Sequence, residues 1–175
     1  LSAPVCSSVR TPETDDSTYA CSSLKTLVLS NVKEIPANAF DWNGSAIKSV
    51  TIADQAKVHA KAFVNLTSLK NVTFLGGYTI VADVADPKNA RPFQGCTNIE
   101  TVTFNSNNVQ DAKVTISDNM FVDCTKLTSI DLSKVSLNDE KIGENAFKGC
   151  TALSEIKFAA NTKTISNNAF YGCTA

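Results

Sequence analysis

The sequence predicts a right-handed solenoid. Short parallel β-strands would line one face of one elongated stack of coils, with 3₁₀ or short helical turns and irregular loops on the other. Three observations predict it. Phenylalanines recur at Phe40, Phe63, Phe93, Phe121, Phe147 and Phe170, 23 to 30 residues apart. A cysteine stands three residues after the last four of them, at Cys96, Cys124, Cys150 and Cys173. A short apolar alternation follows most of the anchors, as in Leu153, Ile156 and Phe158 after Phe147.

The elements follow in order along the chain. A first, headless copy runs through Cys21, Leu24, Leu27 and Leu29. The next carries Ile35, Phe40, Ile47, Val50 and Ile52, with one extra residue between Phe40 and Ile47. Then come Val58, Phe63, Leu66, Leu69, Val72 and Phe74; and Phe93, Cys96, Ile99, Val102 and Phe104. Met120 and Phe121 lead to Cys124, Leu127, Ile130 and Leu132. The last full copy spans Ile142 to Phe158, and a tailless one ends on Phe170, Cys173 and Ala175. The segments ending at Leu29, Ile52, Phe74, Phe104, Leu132 and Phe158 read as six strands, because alternation with β-branched and aromatic residues suits a pleated surface. The Ala-Phe segments lack that alternation and read as a turn that drops the ring inward. One coil cannot bury its own apolar positions, so the coils must stack. Longer intervals carry insertions, which belong on one edge of the stack.

Composition narrows the function. With 43% hydrophobic and 19% charged residues, the chain is neither a disordered tail nor a membrane protein. No apolar run is long enough to span a bilayer. A net charge of −1 argues against a nucleic-acid-binding surface. The single histidine, His59, excludes a multi-histidine metal site, and its place beside an inward position points it outward. No Gly-x-Ser-x-Gly elbow and no phosphate loop are present, and Gly76-Gly77 reads as a turn. Asp83, Asp86 and Asn89 read as a solvated loop, their spacing being too sparse for a calcium loop. No catalytic, cofactor or metal residue is assigned. Asn43, Asn65 and Asn71 begin glycosylation sequons, which matter only in a eukaryotic source.

The pattern Ile-x-x-x-Ala-Phe-x-x-Cys-x-x-Leu-x-x-Ile-x-Phe resembles the BspA-like class of leucine-rich repeats, over residues 21–175. The resemblance implies a leucine-rich-repeat solenoid in an extracellular or surface-displayed protein, linked to adhesion and protein binding, with no enzymatic activity. Residues 1–20 do not fit the repeat and read as a cap or lead-in. The last copy stops before its strand, so the chain is expected to be part of a larger surface protein.

Cysteines 96, 124, 150 and 173 share a column that holds Leu66 in another coil. A column accepting Cys or Leu is apolar, so these thiols are expected to be reduced and buried. For Cys6, a disulfide to Cys21 and simple packing in the cap both remain open.

The outward positions of the strand face are the candidate contact surface. They include Lys25, Lys48 and Lys70, then Thr51, Thr73 and Thr103. Toward the other end come Glu100, Asp131 and Glu155, opposed by Lys157. The face is therefore expected to be dipolar, which would orient a protein or glycan ligand, such as a host extracellular component. The 75–92 insertion, with Tyr78 and Arg91, is the second candidate. The rival class is a structural spacer or stalk presenting another domain, since Trp, Tyr and Arg anchors are missing from the strand face.

Overall fold

The computed structural model describes residues 24–40, 46–82, 90–105 and 113–175. Its coils stack as the Phe spacing requires. Six rings form one column, with centroid distances of 5.2, 5.1, 5.5, 5.5 and 5.4 Å from Phe40 to Phe170. Neighbouring planes lie within 12° of parallel. Rings so close to one coil rise apart bury their faces against each other, and four of the six are wholly buried.

The first stack of strands is the expected one. It runs β1 (Thr26–Leu29), β3 (Ser49–Ile52), β5 (Asn71–Phe74) and β7 (Thr101–Phe104), continued by β9 (Ser129–Asp131) and β11 (Glu155–Lys157). All pairings are parallel and in register, so Leu27, Val50, Val72 and Val102 form one inward file. Ile130 and Ile156 pair likewise. Phe74 and Phe104 stack at 5.3 Å as a second, shorter aromatic column.

The opposite side differs from the sequence reading. No helix, α or 3₁₀, occurs among the described residues; a second stack of strands stands there instead. It comprises β2 (Glu34–Ile35), β4 (Ala56–His59), β6 (Tyr78–Val81), β8 (Lys113–Ile116), β10 (Ser136–Ile142) and β12 (Thr164–Ile165). Most of these strands are only two to four residues long, and insertions precede several of them. Their alternation is therefore too brief to stand out. Pairing with the neighbouring coil, rather than local propensity, makes them strands.

The Phe-bearing segments close each coil as chained turns. Ala146, Lys148, Cys150 and Leu153 each donate their N–H three residues back. Continuous 3₁₀ structure is prevented by left-handed residues on both sides of the ring. Two residues before Phe stand Asn38, Lys61, Asn119, Asn145 and Asn168, with φ between 54 and 60°. Two residues after it stand Asn65, Gly95, Asp123, Gly149 and Gly172, with φ between 57 and 79°. Asparagine, aspartate and glycine tolerate this region best.

Backbone N–H groups at and just after the ring also bond between coils, all in one sense. Phe40, Phe63, Phe93, Phe121 and Phe147 donate their N–H to the carbonyl preceding the next ring, on Ala62, Pro92, Met120, Ala146 and Ala169. Asn65, Gly95, Asp123 and Gly149 repeat the pattern to Gln94, Val122, Lys148 and Tyr171. Every donor lies one coil earlier than its acceptor.

Among the described glycines, backbone of the neighbouring coil comes closest at Gly143. A Cβ there would sit 2.4–2.6 Å from backbone atoms of Ser117 and Asp118, so no side chain fits. Asn161 fills a gap of another kind. β12 pairs only with Lys141 and Ile142 of β10. Leu137, earlier in β10, instead donates its N–H to Asn161 Oδ1 (2.9 Å) and accepts from Asn161 Nδ2 at its carbonyl (2.8 Å). One side-chain amide thus replaces a backbone rung.

The thiol column is buried as expected, and it has a polar task. Cys96, Cys150 and Cys173 donate Sγ–H to the carbonyls of Phe63, Phe121 and Phe147 at 3.0, 3.2 and 3.3 Å. Cys124 reaches Phe93 more weakly, at 3.6 Å. Each thiol thus serves the anchor residue one coil before its own. Burial pushes the Cys96 and Cys150 thiols up to about 12 and Cys124 well above its ordinary range. Cys173 is only half-buried and shifts upward too. Cys6 and Cys21 lie outside the described residues.

Candidate binding surface

The outward positions of the first strand stack fall into three files, because parallel pairing keeps equivalent residues side by side. The first file is Lys25, Lys48, Lys70 and Glu100, tied through N–H bonds of 2.7–2.8 Å to the preceding residue's carbonyl. The second is Thr26, Ser49, Asn71 and Thr101, and the third Val28, Thr51, Thr73 and Thr103. Ser129 and Glu155 pair farther along, as do Asp131 and Lys157.

The charges partly pair with one another. Lys70 meets Glu100 at 2.8 Å, and this hydrogen bond and charge hold the Glu100 carboxyl below its usual range. Lys157 lies 3.5 Å from Asp131 and 3.7 Å from Glu155. Asp131 is lowered first by the hydroxyl and N–H of Ser133 and then by Lys157. Lys25 and Lys48 have no ion pair among the described residues. The face therefore keeps two free cations at one end, a neutral middle and a net single negative charge at the other. The dipole persists, reduced.

The middle file is also engaged with itself. Thr101 Oγ1 donates to Asn71 Oδ1 at 2.7 Å, and Asn71 Nδ2 donates to Ser49 Oγ at 3.3 Å. The Asn71 sequon thus lies inside a side-chain chain. The Asn65 sequon sits on an exposed turn, and Asn43 lies outside the described residues.

Tyr78 leaves the candidate set. It is 2% exposed, stacks on Phe74 at 4.2 Å and donates its hydroxyl to the Thr115 carbonyl at 3.0 Å. It occupies an inward position of β6, a strand that the sequence reading treated as insertion. Arg91 is half-buried at the edge of a shallow hollow shared with Lys61, Val64, Asn65 and Gln94. Lys61 went unnoticed in the sequence. The signal was present: the aligned position two before Phe is Asn38, Asn119, Asn145 or Asn168 in the other coils.

His59 faces outward, its Nε2 2.8 Å from Glu34 Oε1 of the preceding coil. The Asp83, Asp86 and Asn89 loop and Trp42 lie outside the described residues. Among the described residues, no three His, Cys, Asp or Glu side chains converge as metal ligands would. No described helix is long and apolar enough to cross a membrane.

The family model for the BspA type leucine rich repeat region matches in six copies, over residues 14–108 and 57–175. The chain belongs to the BspA-type leucine-rich-repeat family. No curated protein and no solved structure matches it. BspA-type repeats form protein-interaction modules, and leucine-rich-repeat solenoids are typically non-catalytic scaffolds. Proteins of the BspA type are typically secreted or surface-displayed. The cysteine and phenylalanine columns of this member are its BspA-type repeat seen from inside, and the lysine file is what it turns outward.

Proposed function

We propose that this chain is a non-enzymatic protein-binding or adhesion module of a secreted or cell-surface protein, and that the first strand stack is its contact face. The observation that carries the reading is the lysine file. Lys25 and Lys48 stand one coil apart on a regular sheet, unpaired, beside the exposed Val28 and the hydroxyl file of Thr51, Thr73 and Thr103. Two free cations at one end and net negative charge at the other orient an acidic patch of a protein or glycan ligand, such as a host extracellular component, and speed its encounter. The double change Lys25→Glu and Lys48→Glu is expected to slow association about tenfold or more at low salt. The melting temperature should stay within about 2 °C, because exposed charges contribute little to stability. Surface plasmon resonance against extracellular proteins and glycans, with the double variant as control, measures the first; thermal denaturation measures the second. Unchanged binding to every ligand that the parent binds overturns this reading.

A second reading, a spacer or stalk presenting another domain, rests on a different observation. The middle of the face satisfies itself through Lys70–Glu100 and the Ser49–Asn71–Thr101 chain. It also carries no Trp, Tyr or Arg anchor. A stalk would bind nothing in the same assay.

A further inference from the structure

We infer that Asn65 is an asparagine on which this fold carries an N-linked glycan when the chain passes through a eukaryotic secretory pathway, and that the nearby Asn71 is withheld. Modification at Asn65 goes beyond the function proposed above.

The two acceptor sequences are both Asn-x-Thr and stand close together, Asn65-Leu66-Thr67 and Asn71-Val72-Thr73. The motif alone ranks them equally. Their folded settings differ. Asn65 lies in the turn between β4 and β5, at φ 57°, and both it and Thr67 are exposed. The turn is compact: Thr67 donates its N–H to the Asn65 carbonyl at 2.8 Å, and Leu69 donates to the Leu66 carbonyl at 3.0 Å. Leu66 alone of the three enters the core, at 1% exposure. A bulky, hydrated sugar needs such a place, on a surface turn that a buried residue holds down.

The Asn65 side chain is oriented as well. A Cβ on Gly95, in the next coil, would collide with Asn65 Oδ1. The carboxamide oxygen therefore packs over the glycine, in the space a side chain would take. Oxygen and nitrogen diverge from one amide carbon, so Nδ2, the atom that bears a glycan, is turned away from Gly95. Asp123 repeats the arrangement over Gly149.

Asn71 is built differently. It lies within β5, paired with Ser49 of β3 on one side and Thr101 of β7 on the other. Both ends of its carboxamide are engaged: Nδ2 donates to Ser49 Oγ at 3.3 Å, and Oδ1 accepts from Thr101 Oγ1 at 2.7 Å. A sugar on Nδ2 would displace Ser49 and crowd the side chains of strands about 4.8 Å to either side.

The transferred group comes from a lipid-diphosphate-linked oligosaccharide. A bond forms between Nδ2 and the anomeric carbon, and the bond from that carbon to the phosphate oxygen breaks. The lipid diphosphate leaves, and one Nδ2 proton goes to a base. A chain so modified at Asn71 loses the Ser49–Asn71–Thr101 bonding and folds less well, whereas one modified at Asn65 keeps every bond named here.

The test is site-resolved mass spectrometry of the chain exported from cultured mammalian cells behind a cleavable signal peptide. Peptide N-glycosidase in H₂¹⁸O releases the glycans and leaves each formerly occupied asparagine as an ¹⁸O-labelled aspartate. Label is expected at Asn65 in most chains, and at Asn71 roughly tenfold less often, the factor that two lost hydrogen bonds impose. Asn65→Asp installs the residue type that Asp123 already places over a glycine. Thr67→Ala keeps the Thr67 carbonyl that accepts from Asn98 Nδ2 at 2.6 Å. Both variants should therefore fold, with the parent's circular dichroism, and both should lose the Asn65 glycan. Exported chains unlabelled at Asn65, label persisting there in Thr67→Ala, or equal label at Asn65 and Asn71 would overturn the inference. Strand-face binding, read with Lys25→Glu and Lys48→Glu, succeeds or fails independently of it.

Discussion

The thiols show what a single side chain contributes here. Each Cys donates to the carbonyl of the preceding anchor Phe, while Leu66 fills the same place by bulk alone. Folding raises the thiol values, so the native state keeps protons that the unfolded chain releases above pH 9.0, the ordinary value. The stability that these groups confer is complete below that pH and is lost as pH rises toward about 12. Each thiol should remove about 1.4 kcal/mol of stability per pH unit in that window. Denaturant midpoints at pH 8 and pH 11 check this: Cys150→Ala should show a smaller loss between the two than the parent does. Legibility at this scale was uneven. The Cys/Leu column already announced apolar burial. The hydrogen bond to the previous coil was hidden, because nothing local in Gly-Cys-Thr reveals an acceptor 29 residues earlier. Tyr78 misled for a similar reason. Its partners, Phe74 and Thr115, show only once β6 is recognised as a strand.

At the scale of elements, periodicity succeeded where a strand has four alternating residues and failed where it has two. β5 reads Asn-Val-Thr-Phe and declares its inward file; β12 is only Thr164 and Ile165 and exists because β10 lies beside it. The second strand stack is a product of stacking rather than of local preference, and so was illegible residue by residue. The candidate face was legible as a set of outward positions, since period 2 sets it. Which of its charges pair was not, since the 2.8 Å contact of Lys70 with Glu100 depends on the neighbouring coil. Where strands are this short, borrowed hydrogen bonds matter. Asn161→Ala should leave the Leu137 N–H and carbonyl without partners and destabilise by about 1–3 kcal/mol. Urea denaturation followed by circular dichroism measures it. Asn161→Asp, which keeps the acceptor and loses the donor, should fall between parent and alanine variant.

For the whole molecule, contacts run mainly between adjacent coils, so stability should vary along the axis instead of being shared uniformly. Central coils are covered on both sides, and Val72, Phe74, Phe93 and Phe121 are fully buried. In the last described coil Phe158 and Ile165 are 39% and 52% exposed, though they occupy inward files. Amide hydrogen exchange should therefore show protection in β5 and β7 exceeding that in β11 and β12 by roughly tenfold or more. Uniform protection from Asn71 to Ile165 would show that the stack opens as a single unit.

The one-way bonding of the Phe turns gives the rod a head and a tail. Amide hydrogens aim toward higher-numbered coils and carbonyl oxygens toward lower-numbered ones. Aligned peptide dipoles along that side add up, as they do in a helix, but with the positive pole at the C-terminal end. Two copies meeting with their higher-numbered coils together would set donor against donor along the Phe turns, so that column carries a built-in arrow.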